Sequence, residues 1–141
     1  MRYVLAVVVI LGGCTMVQEP SPVSAPAPLP APAIENAAVA SLLDSARQDV
    51  AAGRLANAAA SLERALRIEP RNPRLWQELA RVRLQQGEYA QAESVAARSN
   101  SWAGGDNRLR AENWRLIAQA REARGDAAGA RAALDAAERQ R

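Results

Sequence analysis

The sequence predicts an all-α protein: a short α-solenoid of three antiparallel helix pairs (38–141), entered through a leader (1–13) and a disordered Pro/Ala-rich tether (14–37). Three observations carry that expectation. One phrase occurs three times, as AAGRLANAAASLERA (51–65), QQGEYAQAESVAARS (85–99) and ARGDAAGARAALDAA (123–137). An alanine follows each glycine of the phrase (Gly53, Gly87, Gly125) five residues on, as Ala58, Ala92 and Ala130, and a large apolar residue precedes it by eleven, as Leu42, Trp76 and Trp114. The glycines stand 34 and then 38 residues apart, the period of stacked helical hairpins whose apolar faces only a neighbouring unit can bury. The segments around them are rich in alanine and leucine with apolar residues at helical spacing, as in Leu42, Ala46, Val50 and in Leu75, Leu79, Val82. Six of the eight prolines fall between Pro20 and Pro32, ahead of the repeats.

The leader comes first. Met1-Arg2 gives a short positive start, Tyr3 to Leu11 carries no charge, and Leu11-Gly12-Gly13-Cys14 follows. Such a run is too short to span a bilayer, which takes about 20 apolar residues, but it suits the core of a signal peptide. These residues resemble the lipobox of bacterial lipoproteins. That resemblance implies cleavage before Cys14 and acylation of its sulfur; the plainer reading is a buried cysteine in an ordinary helix. Thr15 stands where an aspartate commonly retains such proteins at the inner membrane, so the resemblance implies the periplasmic face of a Gram-negative outer membrane. Two or three acyl chains anchor stably where one binds only marginally. Cys14 is the only cysteine, so the mature chain has no internal disulfide to form.

The tether interleaves prolines with alanine, serine and valine. Such a segment favours extended polyproline II at about 3.1 Å per residue, so about 22 residues hold a domain up to roughly 70 Å from a surface. Its PAPLPAP stretch reads either as a spacer or as a ligand for a proline-recognition module.

In the repeat region each glycine is expected to take the left-handed cap that turns one helix into the next. Ala58, Ala92 and Ala130 fall where paired helices approach most closely. Pro70 ends one helix, Asn72-Pro73 starts the next as N-cap and first-turn proline, and Asp126 caps the last, expected over 127–140. Gly104-Gly105 reads as a loop. The boundaries expected are 39–72, 73–106 and 107–141. Two features break the period. Segment 99–110 (SNSWAGGDNRLR) is four residues longer than the period requires, and its Trp102 belongs to no repeat position, being either an interface anchor or a lid over a helix end. In the last helix, Leu134 and the alanines form a mild apolar strip beside Arg131, Glu138 and Arg139.

Residues 39–141 resemble the tetratricopeptide repeat family. The best match runs from Trp76 through Leu79, Gly87, Tyr89 and Ala92. Repeat one contributes Gly53, Leu55, Ala58, Leu62, Ala65 and Pro70, and repeat three Trp114, Ile117, Gly125, Ala130, Leu134 and Ala137. Ala46, Ala80 and Ala118 depart from the expected glycine, Ser99 replaces a late alanine, and no proline closes repeat two. The resemblance implies a concave groove lined by the first helix of each pair, where partner peptides lie. Carried over residue by residue, it offers Leu43, Arg47 and Val50 in repeat one. Repeat two offers Arg74, Gln77, Arg81 and Leu84, and repeat three Arg115, Gln119 and Glu122. The arginines suit a stripe that grips acidic peptides through bidentate forks, or else a solvated face in a chain whose 18 basic residues are all arginine. The family's chaperone-binding carboxylate clamp is disfavoured, since Leu43 and Gln77 stand where it needs lysine and asparagine.

Composition narrows the function further. There is no histidine and no lysine, which removes imidazole bases, Schiff bases and the phosphate-loop lysine. No cofactor or metal ligand set is evident, and no serine has a nameable activating partner. Glu63, Glu69, Glu78, Glu93 and Glu122 are expected on solvated helix faces. The chain therefore reads as a binding protein, not an enzyme. The net charge of +3 comes from interleaved acids and bases without a basic block, which argues against nucleic acid. The expectation is a lipid-anchored periplasmic adaptor or scaffold that holds a protein partner, an envelope protein or acidic peptide, at the outer membrane. The alternative is a self-associating structural envelope protein without a dedicated client.

Overall fold

The computed structural model describes residues 36–141; the leader, Cys14 and the expected tether up to residue 35 lie outside the described residues, while Asn36 and Ala37 already belong to the start of the first helix. Among the described residues six helices follow one another: α1 (Ala37–Ala51), α2 (Leu55–Ile68), α3 (Pro73–Gln85), α4 (Tyr89–Trp102), α5 (Asn107–Ala123) and α6 (Ala127–Glu138). They pair as α1/α2, α3/α4 and α5/α6, and each pair packs on the next. No described helix is long and apolar enough to cross a membrane.

The repeated glycines build the three hairpin turns. Gly53, Gly87 and Gly125 have φ of 72°, 77° and 80°, a left-handed region open to glycine without steric penalty. In each turn the glycine N–H donates to the carbonyl three residues back and the next N–H to the carbonyl five back. The acceptors are Val50 and Asp49, Leu84 and Arg83, Glu122 and Arg121, all at 2.8–3.1 Å. These are Schellman caps, which satisfy the last carbonyls of α1, α3 and α5. Asparagine or aspartate opens each of those helices: Asn36 accepts from the N–H of Ala38, Asn72 from Arg74 and Asp106 from Leu109. Pro73 occupies the first turn as expected, and Asp126 caps α6 through the N–H of Gly129 at 2.8 Å.

Ala58 and Ala92 are fully buried and Ala130 nearly so, which fits close helix approach. The four extra residues of the third repeat form helix, not loop. α2 and α4 are both 14 residues, while α5 has 17 residues against 13 in α3. Segments 69–72 and 103–106 are equal in length, so the addition is one turn at the start of α5. At 100° per residue, four residues rotate the buried face by only about 40°, so the helix absorbs them without losing its packing.

Trp76 is half-buried instead of fully enclosed. Its indole N–H donates to the Pro70 carbonyl at 2.8 Å, and the Arg98 guanidinium lies 5.4 Å from its ring centroid. The largest fully buried side chains are Leu62, Leu75, Ile117, Asn113 and Ser99. Two of these five are polar, and both sit where the second and third repeats meet.

Candidate partner-binding groove

The first helices of the three pairs, α1, α3 and α5, line a succession of cavities. Leu43, Arg47 and Val50 of α1 face Glu78 and Val82 of α3 around about 130 Å³. Arg74, Gln77 and Arg81 of α3 face Asp106, Arg108 and Glu112 around about 280 Å³. Further along the same pair, Leu84 and Gln85 face Arg115, Leu116 and Gln119 around about 420 Å³. The largest, about 690 Å³, lies between α5 and α6, with Arg115, Gln119 and Glu122 opposite Ala130 and Leu134. All ten groove residues inferred from sequence therefore line this run of cavities.

They are not equally available. Gln77 is 5% exposed; its amide donates to Asn113 Oδ1 at 3.0 Å and to the Leu109 carbonyl at 3.5 Å. It forms the floor of the groove and leaves contact with a ligand to its neighbours. Leu109, which supplies the second acceptor, lies in the added turn of α5. Asn113 in turn donates to Ser99 Oγ at 2.7 Å and to Asn100 Oδ1 at 3.0 Å, and Ser99 donates to the Pro73 carbonyl at 2.7 Å. That chain ties α3, α4 and α5 together and explains the serine at an alanine position: its hydroxyl links the N-terminal turn of α3 to Asn113.

Charge is also distributed unevenly. Arg74 lies 3.6 Å from Asp106, Arg81 3.2 Å from Glu112, and Arg108 3.3 Å from the same Glu112. Three arginines (Arg74, Arg81, Arg108) and three acids (Glu78, Asp106, Glu112) line this cavity, so its formal charges cancel. Arg47 pairs with Asp44 at 3.2 Å, with both side chains more than 60% exposed, a geometry of little energetic weight. Among the arginines lining the groove, Arg115 is the one that makes no ion pair among the described residues. Glu122 and Gln119 are exposed.

Sequence reasoning missed the acids contributed by α5, Asp106 and Glu112, because their partners lie about 31 residues away on another helix. It also placed Glu63 and Glu93 on solvated faces, whereas both staple successive repeats. Arg83 of α3 reaches Glu63 of α2 at 2.5 Å, and Arg121 of α5 reaches Glu93 of α4 at 2.6 Å. Arg83 and Arg121 each stand four residues before the repeat glycine, just ahead of the repeated phrase. Trp102 is 38% exposed and lies outside the groove, with the Arg71 guanidinium 5.2 Å from its ring centroid. Among the described residues no group of three or more His, Cys, Asp or Glu has metal-binding geometry.

Three capped hairpins, each packed on the next and presenting one helix to a shared groove, define a helical-repeat protein. The chain belongs to the tetratricopeptide repeat family. The tetratricopeptide repeat model matches residues 49–112. The chain is also similar to the solved globular C-terminal domain of Pseudomonas aeruginosa LpoP, at 53% identity and a TM-score of 0.70 over 71% of this chain and 94% of that one. No curated protein matches.

Proposed function

We propose that this protein is a non-enzymatic, lipid-anchored adaptor that binds a protein partner in the concave groove and holds it at the periplasmic face of the outer membrane. The observation that carries the reading is the groove, lined along its length by α1, α3 and α5 and by every residue the family pattern nominates. The Leu11-Gly12-Gly13-Cys14 motif supports the anchor, and the proline-rich segment after it supports a tether. The similar LpoP structure is itself that of a globular C-terminal domain, in keeping with a repeat domain that follows a separate N-terminal segment.

Cys14→Ser is expected to move the full-length protein from the membrane fraction to the soluble periplasmic fraction. Retention that only detergent releases would refute the anchor. Binding of the partner is tested independently with the soluble domain (residues 36–141). The adaptor reading expects a monomer that retains one stoichiometric envelope protein. Concentration-dependent oligomers without a client would favour the self-associating structural protein instead.

A further inference from the structure

The groove divides into two chemically different halves. Between α3 and the start of α5 the arginines are already neutralised, so an incoming carboxylate must displace Asp106 or Glu112. Between α5 and α6 the situation is reversed. Arg115 is unpaired among the described residues, Glu122 lies seven residues on along the same helix, and Ala118, Ala123, Ala130 and Leu134 fill the space between. Seven residues of helix span about 10 Å. The cavity therefore has a positive end, an apolar middle and a negative end.

The repeat register indicates the shape that fits there. Leu134 stands nine residues after its glycine, the position held by Leu62 and Ala96 in the earlier repeats. Those two are 1% and 0% exposed, while Leu134 is 48% exposed. In the earlier repeats the next first helix packs on the preceding pair; among the described residues nothing covers Leu134. The outer face of α1 argues against a second copy as occupant. Where α3 has Leu75, Leu79, Val82 and Arg83, α1 has Ser41, Ser45, Gln48 and Asp49, so head-to-tail stacking would bury a polar face against Leu134.

Building on the adaptor reading, we infer that the α5–α6 cavity receives an amphipathic helix of the partner, which lies along α5 as α5 lies along α3. Its acidic residue meets Arg115, bulky apolar residues three and four positions later enter the 690 Å³ cavity beside Leu134, and a basic residue seven positions later meets Glu122. Burial of the apolar side chains supplies affinity, and the two opposite charges fix direction.

The test uses the full chain in detergent and two synthetic helical peptides, followed by fluorescence anisotropy. One peptide carries Glu, Leu, Leu and Arg at positions i, i+3, i+4 and i+7; the other exchanges the two charges. The first is expected to bind about tenfold more tightly, with the preference lost or inverted in the R115E variant and both peptides weakened in L134E. Because Leu134 is exposed and Arg115, half-buried, makes no ion pair among the described residues, circular dichroism of both variants should match the parent. Equal affinity for the two peptides, no binding of either, or a preference untouched by R115E would overturn the inference. So would a concentration-dependent dimer that L134E abolishes, which would make the occupant a second copy. Undiminished crosslinking of a partner from the α3 side of the groove in L134E cells would overturn this inference alone and leave the adaptor reading standing.

Discussion

The junction between the first and second repeats is apolar, and that between the second and third combines a smaller apolar cluster with a buried polar network. At the first, Leu62 and Leu66 of α2 join Leu75, Leu79 and Val82 of α3 in one buried cluster that also takes in the side chains of α1. At the second, the apolar contribution shrinks to Ala80, Ala96, Ile117, Ala118 and Ala133, with partial cover from Val95, Trp114 and Leu116. The remaining space is filled by Gln77, Ser99 and Asn113. Both junctions carry an arginine–glutamate staple, with the arginine at one register and the glutamate ten residues after the glycine at the first junction and six at the second. The difference teaches how one repeat sequence reaches two ends: apolar burial supplies non-directional stability, whereas a buried hydrogen-bond network fixes one register. The network lies directly beneath the groove, and it holds the start of α5, with Asp106, Glu112 and Arg115, at a set position against α3.

The largest effect is expected at the apolar junction. Leu75→Ala removes a side chain that is 1% exposed and should cost about 3 kcal/mol, read as a lower urea midpoint. A change near zero would mean the first junction does not depend on that cluster. At the second junction, Asn113→Ala should cost about 2 kcal/mol, because Gln77 and Ser99 each lose one hydrogen-bond partner while staying buried. Replacing Asn113, Gln77 and Ser99 together with Leu, Leu and Ala should cost less than the sum of the single changes. Strict additivity would show that the three do not act as one network. The staples come last. Glu93→Gln is expected to cost about 1 kcal/mol and Glu63→Gln about half that, since the Glu93 side chain is 23% exposed and that of Glu63 45%. Both costs should shrink at high salt; the reverse order would assign the stronger staple to the first junction.

What the sequence made legible follows from how local each cause is. The three turns were readable because a left-handed cap needs glycine at one position, and the alanine five residues later is a packing requirement within the same hairpin. Asn72-Pro73 and Asp126 were readable as caps for the same reason. The added turn of α5 was not, because four extra residues between two periodic segments satisfy a longer loop and one more helical turn equally well. The hydrogen bond from Gln77 to the Leu109 carbonyl in that turn was hidden with it. The ion pairs Arg83–Glu63 and Arg121–Glu93 join residues 20 and 28 positions apart, so they emerge only once the stacking of the hairpins is fixed. The candidate site residues came from the family resemblance, residue by residue, and α1, α3 and α5 bring them to one run of cavities. Which arginines are already neutralised was not legible, since Asp106 and Glu112 approach across a helix boundary.

The most direct test of the groove as the client surface is a photo-crosslinking residue placed, in living cells, at Gln119 in the groove and, separately, at the exposed Arg64 on α2. Both side chains are exposed, so neither substitution disturbs the core. One distinct envelope protein is expected to be captured from Gln119 and absent from Arg64. Capture of the same species from both positions, or of this chain alone from Gln119, would contradict that expectation.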